Sequence, residues 1–177
     1  MKQNLKYIIP AIILFLGIFG VFSHRFDLTK EKRYTLSDAT VETLKSVKEP
    51  LTVEVYLEGD FPASFKQLQN ETQFLLEEFR KINPKIDYKF IDPIATKMSQ
   101  DTLQAMGMQP SMLPDMKDGK VSQIVLFPYA ALKYKGYGTS ISLITNQMGI
   151  DATEQLTKSI ENLEFNFAST IKSLVAD

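Results

Sequence analysis

Residues 51–93 read LTVEVYLEGDFPASFKQLQNETQFLLEEFRKINPKIDYKFIDP, and this stretch decides the predicted fold. Apolar and polar residues alternate over 51–57 and again over 86–90, which predicts two strands with one buried face each. Between the strands, apolar residues recur at helical spacing over 65–82, and Asn83-Pro84 ends the helix. The order strand, helix, strand predicts a parallel pair joined by a crossover.

The chain after this unit predicts a weaker helix, a loop and an antiparallel hairpin. The weaker helix covers residues 99–106, with Gly107 as its stop, and a loop rich in Met and Pro follows. Residues 121–134 and 139–144 are β-rich runs joined by a short turn that contains glycine. Pro128 cannot donate to a strand ladder, so it predicts a bulge or an edge in the first run.

Two more helices are predicted, one before the first strand in the sequence and one after the last. Ser37 can cap a short helix that runs to about Lys48. Asp151 and Glu154 have the spacing of a capping box before an apolar stripe that continues to Leu174. The stripe predicts one long closing helix of about 24 residues, which extends about 36 Å and exceeds what a small sheet needs to be covered.

The predicted order β-α-β-α-β-β-α defines the fold class as α/β and is that of thioredoxin-like domains. The sequence has no cysteine, which excludes thiol–disulfide exchange, thiolate nucleophiles and cysteine-ligated metals. The expected domain therefore keeps the thioredoxin-like architecture without redox cysteines.

Composition excludes several further classes of protein. The 177 residues are 44% apolar and 23% charged, which is ordinary for a globular chain. Its 20 basic and 21 acidic side chains give a net charge of -1 and no broad cationic field, so we expect no nucleic-acid partner. The single histidine, His24, leaves no partner for a histidine-based metal cluster or a Ser-His relay. We expect no enzyme, no cofactor and no metal.

Weaker motifs have ordinary structural explanations. The aspartates lack the spacing of a calcium loop, and Gly136-Tyr137-Gly138 lies between strands instead of before a helix, as a phosphate loop would. Five of the seven methionines are close in sequence and could form an adaptable or soft-metal surface, but methionine also fills irregular core gaps. These five are Met98, Met106, Met108, Met112 and Met116.

An N-terminal membrane anchor is the next prediction. Residues 7–22 read YIIPAIILFLGIFGVF and carry no charge, and Lys2 and Lys6 precede them. At about 1.5 Å per residue they cover about 24 Å, a marginal span for a hydrocarbon layer of about 30 Å. A cleaved signal peptide is the alternative, but the residues that follow lack a small-residue cleavage site. The predicted anchor side chains are Tyr7, Ile8, Ile12, Leu14, Phe15, Leu16, Phe19 and Phe22.

Basic residues on both sides of the apolar run make its orientation ambiguous by count. Long domains translocate largely regardless of charge, so we expect the main domain outside the cytoplasm. Two groups of apolar residues are predicted to contact partners, one in the stalk after the anchor and one in the closing helix. They are Phe26, Leu28, Tyr34 and Leu36, and Phe165, Phe167, Ile171 and Leu174.

Residues 25–40, RFDLTKEKRYTLSDAT, together with residues 52–79 and the sequence YKFIDP at 88–93, carry a resemblance to a known family. In combination they closely resemble GldG, the auxiliary subunit of the gliding-motility ABC transporter. The resemblance implies a domain on the periplasmic side of the bacterial inner membrane. It also implies a GldF-like permease and a GldA-like cytoplasmic ATPase as partners. Members of that family are longer, so we expect this sequence to stop before a second domain.

The expected organisation is an anchor over residues 1–24, a stalk with a short helix over 25–50, and a thioredoxin-like domain over 51–177. The expected function is that of an auxiliary subunit acting through protein contacts. The alternative is a solute-binding domain with a pocket near the carboxyl ends of the strands, around residues 58–61 and 92–94. An enzyme that works through carboxylates alone is a third reading.

Overall fold

The computed structural model describes residues 35–117, 120–145 and 149–176, and the compact unit begins at Leu36. This unit is a mixed α/β domain. Among its residues, no helix is both long and apolar enough to cross a bilayer, and the predicted anchor lies outside the described part. The helices are α1 (Asp38–Ser46), α2 (Ala63–Ile82), α3 (Gln100–Ala105), α4 (Ala152–Glu161) and α5 (Leu163–Ala176). The strands are β1 (Leu51–Val55), β2 (Ile86–Phe90), β3 (Ser111–Lys117), β4 (Lys120–Leu126), β5 (Tyr129–Tyr134) and β6 (Tyr137–Ser142).

The main sheet has four strands in the order β2-β1-β5-β6. Strand β1 is parallel to β2 and antiparallel to β5, and β5 is antiparallel to β6. The predicted parallel pair and the predicted hairpin are therefore confirmed. The hairpin turn is Lys135-Gly136, and both residues have positive φ, 49° and 84°, as a two-residue turn between twisted strands requires.

Two predictions between β2 and β5 are wrong. The Met- and Pro-bearing segment expected to be a loop contains β3, which pairs with β4 in a separate two-stranded sheet. The β-rich run at 121–134 is two strands, because Phe127 and Pro128 separate β4 from β5. Pro128 lies in this connection and not inside a ladder, consistent with its missing N–H.

One face of the main sheet packs against α2 and α5. Alternate residues of β1, such as Val53 and Val55, are fully buried, as the period-two pattern predicts. On α2 the buried stripe includes Phe79, and its ring meets that of Phe167 on α5 edge to face, with centroids 6.4 Å apart and an interplanar angle of 90°. This contact joins the helix between the first two strands to the end of the chain.

The other face of the sheet is covered at one end by α3 and the segment after it. Tyr56, Leu103, Met108, Phe127 and Ala131 form a second buried cluster, against which Met98 and Met106 pack. The gap-filling interpretation of the methionines is confirmed for these three. Met112 is 61% exposed.

The closing helix is broken at Asn162, so the prediction of one continuous helix is wrong. Asn162 has φ -92° and ψ -3°, and its side-chain Nδ2 donates to the carbonyl of Lys158 at 2.8 Å. A side chain that hydrogen-bonds the preceding turn competes with regular helix geometry and bends it. The capping role of Asp151 is confirmed, since its Oδ1 accepts from the amides of Thr153 and Glu154 at 2.8 and 2.9 Å.

Asn83, at the end of α2, fixes the end of α1 against the sheet. It is 9% exposed, and its Nδ2 donates to the carbonyl oxygens of Leu44 and Val47 at 2.8 and 2.9 Å. Its Oδ1 accepts from the amide of Lys85 at 3.1 Å. One amide side chain thus satisfies two carbonyls at the end of α1 and one amide in the turn into β2.

We expect Asn83→Leu to lower the free energy of unfolding by about 1–3 kcal/mol, because two helix-end carbonyls and one amide lose their buried partner. Urea unfolding followed by circular dichroism measures the loss. Asn70→Leu is the matched control, since Asn70 is an exposed asparagine of α2, the helix that Asn83 follows. Equal stabilities for the two variants would contradict this role of Asn83.

Candidate binding cleft

A cleft of about 240 Å³ lies beside the carboxyl ends of β1 and β2. Two loops and the end of β4 form its walls. The first loop follows β1 and the second follows β2, and both were predicted to line a pocket from their place in the sheet. The lining residues are Tyr56, Leu57, Glu58, Gly59, Asp60, Phe61, Asp92, Pro93, Ile94, Ile124, Val125, Leu126 and Phe127.

The two loops approach each other closely at Gly59. Its φ of +136° is unfavourable for a residue with a side chain, and a Cβ placed there would lie 3.3 Å from Oδ2 of Asp92. The other carboxylate oxygen of Asp92 accepts from the amides of Ile94 and Ala95 at 2.8 and 2.9 Å. Asp92 therefore shapes its own loop while its second oxygen faces the first loop.

Gln69, on α2, fixes the first loop by hydrogen bonds to Leu57 and Glu58. It is 4% exposed, and its Nε2 donates to the carbonyl of Leu57 at 2.8 Å and to Oε2 of Glu58 at 2.6 Å. A buried amide that bonds both backbone and carboxylate gives Glu58 a defined position at the rim. The helical pattern marked Gln69 only as polar, so this support was not predicted.

The cleft combines an apolar interior with an acidic rim. The end of β4 supplies Leu126 and the adjoining Phe127, which are buried, and the second loop presents Ile94 with 66% of its surface exposed. Glu58 and Asp60 are exposed at the opposite loop. The contribution of β4 was missed, because pairing of β3 with β4 depends on contacts that local patterns do not reveal.

The charged groups that line the cleft are carboxylates, from Glu58, Asp60 and Asp92. Glu58 and Asp60 are exposed, the Glu58 carboxylate accepts a hydrogen bond from Gln69, and one oxygen of Asp92 is engaged by its own loop. Among the residues described, no three His, Cys, Asp or Glu side chains come close enough together to hold a metal ion. The arrangement offers apolar contacts and negative charge to a ligand.

A buried carboxylate, Glu54, lies on the same sheet face as Tyr56 and was not singled out from the sequence. Its oxygens accept from Lys89 Nζ at 2.9 Å, Lys133 Nζ at 2.8 Å and the Tyr56 hydroxyl at 3.1 Å. The strand register explains why both lysines contact Glu54. Strands β2 and β5 flank β1, and each places one lysine beside this carboxylate. Alternation alone had placed Glu54 on the exposed face of β1.

The environment shifts the pKa values of Glu54 and Tyr56 in opposite directions. Burial alone would raise the pKa of Glu54, but the hydrogen bonds from Lys133, Lys89 and Tyr56 outweigh burial and lower it to about 2. Burial, followed by the neighbouring Glu54 charge, raises the pKa of Tyr56 to about 12. Glu54 is thus a fixed anion at neutral pH, and the Tyr56 hydroxyl is a fixed donor.

The residues predicted to contact partners differ in their exposure to solvent. Three residues of α5 lie in the core with 9% exposure or less, so their prediction as partner contacts is wrong; they are Phe167, Ile171 and Leu174. Phe165 is 71% exposed and remains available for contact with a partner. Leu36 is half-buried. Phe26, Leu28 and Tyr34, like the eight anchor residues, lie outside the described residues.

Fold and cleft together define a mixed α/β domain with an open, acid-rimmed cleft. The chain belongs to the family described as a domain of unknown function (DUF7088), whose model matches residues 30–133. It is also similar to an uncharacterized protein of Borreliella burgdorferi, with 25% identity over 173 residues. That match covers 97% of this chain and 31% of the relative, so the chain spans about a third of the relative's length. No solved structure matches the chain.

Proposed function

We propose that the protein is an auxiliary subunit of a GldG-like ABC transporter complex of gliding motility and acts through protein contacts. Residues 1–24 would anchor it in the bacterial inner membrane, and the domain would face the periplasm. The sequence resemblance carried by residues 25–40, 52–79 and 88–93 supports this proposal. A GldF-like permease would be the direct partner, and a GldA-like ATPase would be reached through it.

We further propose that the domain is thioredoxin-like, without redox function. The supporting features are the parallel β1/β2 pair joined through the 20-residue helix α2, the antiparallel β5/β6 hairpin beside β1, and the helices that follow it. The small β3/β4 sheet is an insertion relative to the predicted element order. Because the sequence has no cysteine, such a domain serves as a scaffold.

The observation that best supports protein contacts is the cleft with the exposed Ile94 at its mouth. Ile94 is 66% exposed beside buried apolar walls, so a partner that covers it would remove apolar surface from water at the cleft. A pocket for a small solute instead encloses its ligand and positions several polar groups around it. Here the polar groups stand at the rim.

A solute-binding domain is the second candidate, and the position of the cleft favours it. Ligands of open α/β sheets bind outside the carboxyl ends of the strands, and this cleft lies there. Its volume of about 240 Å³ is below the range of roughly 300–1,000 Å³ usual for pockets that bury a whole small ligand. Protein contact therefore remains the preferred function.

The proposed complex is tested by affinity purification of the full-length protein from solubilised membranes. We expect a multispanning permease and an ATPase to be recovered with it. A variant that lacks residues 1–24 is the matched control and should lose both partners. Recovery of the intact protein alone, from the soluble fraction, would overturn the proposal.

A further inference from the structure

We propose that the cleft binds an extended segment of a partner protein in which an apolar side chain is flanked by lysine or arginine. The inference deepens the proposed function, because it names the chemistry of the partner that the domain would contact. It depends on the size of the cleft, on its apolar interior and on the charges of its rim.

The size of the cleft fits side chains of a longer chain better than a whole molecule. Its volume of about 240 Å³ has room for one or two apolar side chains, whereas the remainder of a ligand would lie outside. The interior supplies contacts for such side chains, since Leu126 and Phe127 are buried in the wall and Ile94 projects at the mouth. Burying Ile94 beneath a partner would remove apolar surface from water.

The negative charges at the rim of the cleft predict a positively charged partner. Of the described residues that line the cleft, Glu58, Asp60 and Asp92 carry carboxylates, and none carries a positive charge. Glu58 is held in place by Gln69, and Asp92 by the amides of its own loop, so two of these charges have fixed positions. The ammonium of Lys66 lies over the ring of Phe61, 5.6 Å from its centroid, but Lys66 does not line the cleft. Complementary charge on a partner favours lysine or arginine beside the apolar residue.

The test uses the full chain in phosphatidylcholine nanodiscs and three fluorescent peptides. The first has the sequence Ser-Lys-Lys-Phe-Leu-Lys-Lys-Ser, the second replaces every lysine by glutamate, and the third replaces Phe-Leu by Ser-Gly. Fluorescence anisotropy at low salt gives the dissociation constants. We expect the first peptide to bind about tenfold more tightly than either of the others, because only it matches both the rim and the interior.

Substitutions at matched exposed positions locate the binding. Ile94→Ser should weaken binding of the first peptide about fivefold. Phe74→Ser, at a comparably exposed apolar residue of α2 that does not line the cleft, should leave binding unchanged. Asp60→Asn should reduce the difference between the lysine and glutamate peptides. Both apolar positions are solvent-exposed, so the variants should keep the wild-type melting transition.

Equal binding of the lysine and glutamate peptides would overturn the inference, as would equal effects of Ile94→Ser and Phe74→Ser. These outcomes are separate from those of the purification. Loss of selectivity in the peptide assay leaves a recovered permease complex intact, with contacts elsewhere on the domain. Selective peptide binding without a recovered permease would support the cleft while overturning the transporter complex.

Discussion

Phe79→Ala is expected to lower the free energy of unfolding by about 3–5 kcal/mol. The side chain has no solvent exposure, and its ring packs edge to face against Phe167. Truncation removes a large buried apolar surface and leaves a cavity between α2 and α5, which close packing cannot refill without strain. Because the contact joins the crossover helix to the closing helix, we expect the whole unit to lose stability and not α5 alone.

Phe74→Ala is the matched control for this change. Phe74 belongs to the same helix, is the same residue type and is 54% exposed, so its truncation should cost less than about 1 kcal/mol. Urea unfolding of both variants gives the two free energies. It is followed by far-ultraviolet circular dichroism, because the sequence has no tryptophan for fluorescence. A loss below about 1 kcal/mol for Phe79→Ala would show that α2 packs through another face.

The strand, helix, strand unit was predictable because its signals are local. Alternation over β1 and the apolar stripe of α2 each report burial from residues only a few positions apart. The loops of the cleft followed from a general rule, since the carboxyl ends of parallel strands meet at one edge of a sheet. Gly59 and Asp92 came close together as that rule requires.

The features that were missed depend on longer-range contacts. Strand β3 contains Pro114 and lacks alternation, so nothing local distinguishes it from a loop until it pairs with β4. That pairing supplies the apolar wall of the cleft. The break at Asn162 was also missed, because the apolar stripe continues across it and only the side-chain bond to Lys158 reveals the bend.

Glu54 shows the same limit on the main sheet. Its position in the alternation of β1 indicated a solvated polar residue, yet it is 9% exposed. Whether a lysine faces it depends on the register of β1 with β2 and β5, which pairs Glu54 with Lys89 and places Lys133 beside Thr52. A glutamate in a strand with a polar face was a detectable signal, but its partners were not.

Between about pH 5 and pH 2, the domain is expected to lose about 3 kcal/mol of stability through Glu54 alone. The pKa of this carboxyl is about 2 in the folded domain, against 4.5 for the unperturbed group. Because the folded pKa is lowered, the stabilisation is fully present above about pH 5 and is lost as the pH falls towards 2, where the folded state also takes up the proton. Each pKa unit corresponds to about 1.4 kcal/mol.

Glu54→Gln should remove this part of the acid dependence, because glutamine does not titrate. Urea unfolding at pH values from 7 to about 2.5 should give a shallower fall in unfolding free energy for the variant than for the wild type. Lys133→Met should also flatten the dependence by weakening the ion pair, whereas Lys172→Met, at an exposed lysine of α5, should not.

An unchanged slope in Glu54→Gln would mean that the acid transition belongs to other carboxylates and that the two lysines do not hold Glu54 as an anion. A carboxyl resonance of Glu54 that titrates near 4.5 in the folded protein would lead to the same conclusion.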